Sequence, residues 1–96
     1  MNMINLIMER FSKALGAIGV DAAPYLDQIR PSQDPKFGDF QANLAMPLGK
    51  KLGKAPRDVA ADIVANLEYA DLFETPEIAG PGFINLRVKT ERIAAI

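Results

Sequence analysis

Two side chains near the end of the chain have the types and the spacing to recognise a nucleobase. Residues 80–88 read Gly-Pro-Gly-Phe-Ile-Asn-Leu-Arg-Val, which predicts a rigid turn followed by a strand. Phe83 and Asn85 are two residues apart, so on a strand they point to the same face. An aromatic ring can stack on an unpaired base while an amide hydrogen-bonds to its edge. The alternative is a hairpin strand whose ring lies in the core and whose amide lies on the surface.

A second segment carries a signature of its own. Residues 36–43 read Lys-Phe-Gly-Asp-Phe-Gln-Ala-Asn, and the stretches Lys-Lys-Leu-Gly at 50–53 and Ala-Pro-Arg at 55–57 follow it. Together with Gly-Pro-Gly-Phe-Ile-Asn, these motifs resemble the N-terminal additional domain of arginyl-tRNA synthetase in their order and approximate separation. The resemblance extends from the first predicted helix to about Val88.

The resemblance implies a domain that grips the outer corner of the L-shaped tRNA(Arg) and touches its D-loop. Phe83 corresponds to the family's aromatic that packs on an exposed D-loop base, and Asn85 to the polar partner that hydrogen-bonds to that base. Residues 1–89 would form this domain, and Thr90 would begin a linker helix leading to a catalytic domain of the same polypeptide. That parent enzyme, a class I synthetase, attaches arginine to tRNA and uses ATP.

Further residues are candidates for contacts with RNA. Gly80 and Gly82 would let the backbone approach RNA closely, although the same glycines suit a purely structural turn. Gln41 and Asn43 have spare hydrogen-bonding capacity, and their role stays open between structure and binding. Five basic side chains could position phosphates, although each taken singly is also consistent with a solvated surface charge: Lys36, Lys50, Lys51, Arg87 and Lys89.

Composition excludes several kinds of chemistry. The 96 residues suffice for one small domain, and they include no cysteine and no histidine. Disulfides, thiolate metal sites and histidine-based acid–base catalysis are therefore excluded. The His-x-Gly-His-like signature with which class I synthetases bind ATP is absent as well. We therefore expect the chain alone to be non-catalytic, without a metal or cofactor, and ATP to bind elsewhere in the parent enzyme.

Charge is distributed unevenly along the chain. The net charge is −1, yet residues 30–57 hold six basic residues against two acidic ones, and residues 58–77 hold six acidic residues and no basic one. This alternation predicts one basic and one acidic side.

No apolar run approaches the length of a membrane span. We expect a cytoplasmic monomer that does not bind membranes.

The periodicities predict an α+β fold in which three to four helices pack on a small antiparallel sheet in two layers. Asp39 is expected to cap the second helix, with Phe37 or Phe40 as core anchors and leucines 44, 48 and 52 in a stripe. The predicted core contains Phe11, Ile18, Leu44, Leu48, Val59, Ile63 and Ile84. The predicted elements are helices at 5–18, 40–52 and 56–67, an extended run at 27–32, and strands at 77–79 and 83–88.

A different class of function is also compatible with these patterns. The terminal hairpin could serve as a docking edge of a protein–protein or oligomerisation module with no role in RNA binding. Salt distinguishes the two functions, because phosphate contacts weaken steeply with ionic strength whereas an apolar docking surface responds weakly.

Overall fold

The computed structural model describes residues 3–89, and the predicted linker helix from Thr90 lies outside them. The described part confirms the α+β prediction, with helices packed on a small antiparallel sheet. In chain order the elements are α1 (Met3–Ala17), a 3₁₀ turn (Ala23–Gln28), β1 (Ile29–Pro31), a second 3₁₀ turn (Pro35–Phe37), β2 (Phe40–Ala42), α2 (Ala45–Leu52), α3 (Pro56–Asn66), β3 (Glu77–Ala79) and β4 (Phe83–Leu86).

The sheet has the strand order β1-β2-β4-β3, and each neighbouring pair is antiparallel. Ile29, Ala42 and Ile84 lie side by side on the inner face, where they are buried against the helices. Side chains alternate along a strand, so the intervening residues point the other way. We call that opposite side the outer face. It carries the polar residues of the two sequence motifs.

The core lies between the inner face of the sheet and the helices. Along α1 the buried residues Ile7, Phe11, Ala14 and Leu15 recur at helical spacing. The prediction for the core is confirmed for six of its seven members, which are at most 1% exposed: Phe11, Leu44, Leu48, Val59, Ile63 and Ile84. Ile18 is only partly buried, at the margin of the core.

The prediction of one helix over residues 40–52 is wrong in its first part. Phe40–Ala42 forms a strand instead, because it pairs with strands on both of its sides. The helix that remains begins at Ala45, so Pro47 lies in its first turn, where a missing N–H removes no intrahelical hydrogen bond. Leu52, the third leucine of the predicted stripe and not a member of the predicted core, is 43% exposed at the last residue of α2.

Asp39 does not cap a helix, because the residues after it are extended. Its backbone N–H donates to the Leu86 carbonyl at 2.7 Å, and its carboxylate Oδ2 accepts from the Val88 N–H at 2.8 Å. These two hydrogen bonds fasten the start of β2 to the end of β4. Asp39, predicted to be an N-cap, therefore links two strands through hydrogen bonds.

Asp39→Ala is expected to lower the free energy of unfolding by about 0.5–1.5 kcal/mol, because the Val88 N–H loses its acceptor. Urea denaturation measures the effect. The matched control is Asp27→Ala, since the exposed Asp27 carboxylate makes no hydrogen bond to the part of the chain that the structure describes. Unchanged stability of the Asp39→Ala variant would contradict a structural role for this hydrogen bond.

Candidate nucleic-acid interface

The outer face carries a row of four polar side chains, one from each strand. Gln41 pairs with Arg30 on one side and with Asn85 on the other, and Asn85 pairs in turn with Glu77. Gln41 and Asn85 are 44 residues apart in the chain. The two sequence motifs are therefore neighbouring strands of one surface.

Side-chain hydrogen bonds run along this row and orient its amides. Gln41 Nε2 donates to Asn85 Oδ1 at 2.9 Å, and Asn85 Nδ2 donates to Glu77 Oε1 at 3.2 Å. An ionised carboxylate can only accept, so Glu77 determines which end of the Asn85 amide faces it. The Asn85 oxygen then faces Gln41, which must turn its NH₂ group inward. We call Gln41, Asn85 and Glu77 the amide row.

The amide row leaves a limited set of groups for a ligand. Gln41 Oε1 has no hydrogen-bond partner within residues 3–89, so it remains an acceptor. Asn85 is only 6% exposed, and both of its amide atoms already have partners. It retains one N–H and one oxygen lone pair. The row therefore presents hydrogen-bonding groups in one orientation, with Gln41 beside Asn85.

Phe83 lies on the same outer face as Asn85, as their spacing predicts. Its neighbours Ile84 and Leu86 are fully buried, whereas Phe83 itself is partly exposed and lies apart from the core. The ring packs over the turn before β4, since a Cβ built on Gly80 would lie 3.5 Å from its Cδ2 atom. Phe83 is thus a supported aromatic ring beside the amide row.

The two glycines of that turn have different surroundings. Gly82 is buried at φ +120°, and a Cβ there would lie 3.0 Å from the backbone carbon and oxygen of Pro56. Its close approach is therefore to α3 of the same chain. Gly80 is exposed at φ +53°, and its carbonyl accepts from Arg57 Nη1 at 2.6 Å. Both contacts fasten the turn that positions Phe83.

The loop between β1 and β2 forms a cleft of about 530 Å³ beside the row. Arg30, Gln41 and Asn43 line it from the sheet side, and Asp34 and Phe37 line it from the loop. Of the two alternatives for a core anchor, Phe37 is excluded, because it is 38% exposed. Phe40, the other proposed anchor, packs against the core.

The five predicted phosphate-binding residues are divided between several places. Lys50 and Lys51 are exposed in the last turn of α2. Lys36 and Arg87 lie together just beyond the last residue of β4, where Arg87 Nη2 donates to the Lys36 carbonyl at 3.0 Å. Lys89 is partly buried, and its backbone N–H donates to Leu72. They do not form one patch.

Two further basic side chains pair with carboxylates of the same chain. Lys54 Nζ donates to Asp62 at 2.6 Å, and this hydrogen bond raises the pKa of Lys54. Arg10 forms a two-pronged pair with Asp71 at 2.8 and 3.0 Å, which raises the pKa of the arginine. Arg10 and Asp71 line a separate open cleft of about 540 Å³ beside the segment that follows α3.

Two further findings concern the described residues as a whole. Within residues 3–89, no cluster of three or more carboxylate, histidine or cysteine side chains is arranged to hold a metal ion. No helix in this part of the chain has the length and apolar character needed to cross a membrane.

Sequence reasoning placed Phe83 and Asn85 on one strand face and named Gln41 as a candidate within a predicted helix, and it did not select Arg30 or Glu77 for this site. Alternation along residues 77–79 indicates that Glu77 and Ala79 share a face. It does not indicate which strand lies beside them. The pairing register supplies that information.

Known proteins share both the sequence and the fold of this chain. Arginine–tRNA ligase of Rhodopirellula baltica is 55% identical over 89 residues, which are 93% of this chain and 13% of that protein. The ligase of Cutibacterium acnes is 56% identical over 80 residues, or 83% of this chain and 14% of that protein. The chain thus spans about one seventh of the length of these relatives.

A solved structure matches the fold. Thermus thermophilus arginyl-tRNA synthetase superposes with a TM-score of 0.79 at 23% sequence identity, over 98% of this chain and 15% of that one. The family model described as the arginyl tRNA synthetase N-terminal domain matches residues 5–88, which include the whole sheet and both motifs. The chain belongs to the arginyl-tRNA synthetase N-terminal domain family.

Proposed function

We infer that this chain is the tRNA-binding N-terminal domain of an arginine–tRNA ligase. It holds the D-loop at the elbow of tRNA(Arg) while a catalytic domain of the same polypeptide attaches arginine with the use of ATP. Membership of the family supports the assignment to the ligase. The observation that carries the role in RNA binding is the supported Phe83 ring beside the amide row on the open face of the sheet.

Phe83 supplies the stacking platform for one unpaired D-loop base. A base face is apolar and polarisable, and stacking on an aromatic side chain contributes about 1–3 kcal/mol. The ring is already held against Gly80, so little freedom is lost when a base covers it. This arrangement favours bases that lie outside a helix, because paired bases have no free face.

The amide row supplies the hydrogen bonds to the base edge. Because Glu77 orients Asn85, and Asn85 orients Gln41, donors and acceptors stand in one defined pattern. A base that presents the opposite pattern would leave buried groups unpaired, which costs more than a missing contact in water. Asn85 and Gln41 therefore act together as the part of the site that discriminates among bases.

Basic residues at the two ends of β4 contact phosphates and position the RNA without reading its sequence. Lys50 and Lys51 belong to the end where β4 begins. They directly follow Gly49, and Gly49 and Gly82 both lie against Pro56. Lys36 and Arg87 belong to the other end. The strand that carries the base site lies between these two basic regions.

Salt dependence tests this function against the docking-module alternative. For the full-length enzyme, log K for tRNA(Arg) should fall linearly with log salt, with a slope of about −0.7 to −0.9 per phosphate contact. The Lys50→Gln/Lys51→Gln double variant should reduce the magnitude of the slope by about 1–2. Lys13→Gln, an exposed change on α1, is the control. A slope for the double variant equal to that of the parent and of Lys13→Gln would contradict phosphate contacts by Lys50 and Lys51.

A further inference from the structure

The cleft between the β1–β2 loop and the sheet is contiguous with the proposed base site but is not used by it. Gln41 belongs to both places, since it lines the cleft and hydrogen-bonds to Asn85. The cleft is also lined by two residues of the 36–43 motif whose presence is not fully explained by the fold or by the base site. Phe37 and Asn43 are the two side chains concerned.

Phe37 is an exposed aromatic ring on a turn that is held in place. Its backbone N–H donates to the Asp34 carbonyl at 2.9 Å, and Arg87 holds the preceding carbonyl at 3.0 Å. Gly38 is pressed against β4, where a Cβ would lie 2.6 Å from the Leu86 oxygen. The ring is therefore presented to the cleft by a fastened turn, and its Lys36 neighbour sits 5.2 Å from the ring centroid.

Asn43 lines the same cleft and has an unsatisfied polar atom. Its Oδ1 is buried and has no hydrogen-bond partner among the described residues. A buried acceptor without a donor is costly, and the terminal torsion of asparagine is soft enough to turn the amide toward a ligand. A donor that enters the cleft would recover a hydrogen bond for an oxygen that has already lost its water.

Arg30 supplies a positive group at the edge of the cleft. Its Nε donates to the Asp27 carbonyl at 3.0 Å, which anchors the guanidinium and leaves donors on its two terminal nitrogens. Asp34 also lines the cleft, and its carboxylate would repel a phosphate seated deep within it. A ring, an amide and a guanidinium with a carboxylate nearby match a nucleotide better than an isolated anion.

We propose that this cleft binds a second unpaired nucleotide of the same RNA, next to the base held by Phe83. The base stacks on Phe37, its edge meets Asn43 and Gln41, and its phosphate lies at Arg30. This proposal rests on the proposed function, because it requires that the outer face binds tRNA. It also assigns a binding role to the 36–43 motif.

The test measures the affinity of the full-length enzyme for tRNA(Arg) and for variants of that tRNA with one unpaired D-loop nucleotide made abasic. Phe37→Ala should weaken binding of the intact tRNA by roughly 5- to 150-fold, as expected for a lost base stack. One abasic tRNA should show no further loss with Phe37→Ala. A different abasic tRNA should show no further loss with Phe83→Ala. Phe37→Tyr should bind like the parent.

Leu52→Ala is the matched control, because Leu52 is a similarly exposed large apolar residue outside the cleft, at 43% against 38% for Phe37. It should leave affinity unchanged, and thermal unfolding should show that Phe37→Ala is folded like the parent. If Phe83→Ala weakens binding and Phe37→Ala does not, the second nucleotide site is wrong and the proposed function stands. If both rings respond to the same abasic nucleotide, one site is present rather than two. If neither substitution affects binding, the proposed function fails as well.

Discussion

The Phe83→Ala enzyme is expected to have an apparent KM for tRNA(Arg) roughly 5- to 150-fold above that of the parent, because it loses a base stack worth about 1–3 kcal/mol. Aminoacylation at subsaturating tRNA measures the change. Affinities for arginine and ATP should stay the same, since those substrates would bind in the catalytic domain. The domain should remain folded, because Phe83 lies on the outer face and the core is formed by other residues.

Conservative variants separate stacking from packing at this position. Phe83→Tyr keeps an aromatic face and should charge tRNA like the parent. Phe83→Leu keeps apolar bulk without a π-face, so it should resemble Phe83→Ala if the ring stacks on a base. A leucine variant that performs like the parent would indicate that the ring only packs against Gly80.

Asn85→Ala is expected to weaken tRNA binding less than Phe83→Ala does. It should also reduce the discrimination among the four bases at one D-loop position. The substitution leaves the ring in place but breaks the amide row, so Gln41 loses the partner that orients its amide. Charging of tRNAs that carry each of the four bases at that position measures the loss of discrimination. Normal charging by both the Phe83→Ala and Asn85→Ala enzymes at subsaturating tRNA would exclude this site.

Leu48→Ala is expected to cost about 2–5 kcal/mol of unfolding free energy, the usual range for a buried leucine. Leu48 is fully buried on α2, so the truncation removes apolar contacts and leaves a cavity. Denaturant-induced unfolding of the chain measures the effect. For a small domain this loss is a large share of the total stability, so a marked shift of the midpoint is expected.

Leu52→Ala serves as the control for that measurement, because it deletes the same atoms one helical turn later on the same helix. Leu52 is 43% exposed, so its truncation should leave the midpoint nearly unchanged. Equal losses at the two positions would mean that α2 is rotated relative to its position here. An unchanged midpoint for Leu48→Ala would mean that this helix does not pack on the core.

The helical and strand periodicities of this sequence determined much of the secondary structure. α1 and α3 lie within a residue or two of their predicted bounds, because each carries an apolar stripe or a helix-starting proline. β3 begins and ends as predicted, and Phe83 and Asn85 share the outer face, because a strand alternates its side chains with a period of two. The lack of histidine and cysteine excluded whole classes of chemistry from the composition alone.

Residues 40–44 show where local pattern was insufficient. Their sequence is compatible with the start of a helix, and Asp39 before them has the side chain of an N-cap. The tertiary structure instead inserts residues 40–42 between β1 and β4, where backbone groups on both sides of the strand are paired. Asp39 then serves the neighbouring strand rather than its own segment. Hydrogen bonds to distant partners outweighed the local preference.

The tertiary structure also decided which residues make up the candidate site. From the sequence alone, Phe83 and Asn85 have types and spacing compatible with base recognition, and the Gly-Pro-Gly turn before them predicts a rigid entry to the strand. Only the strand order β1-β2-β4-β3 brings Gln41 beside Asn85, adds Glu77 to orient both amides, and adds Arg30 at the edge. The direction of a side chain follows from the few residues around it, whereas its neighbour across a sheet follows from burial of the whole inner face in one core.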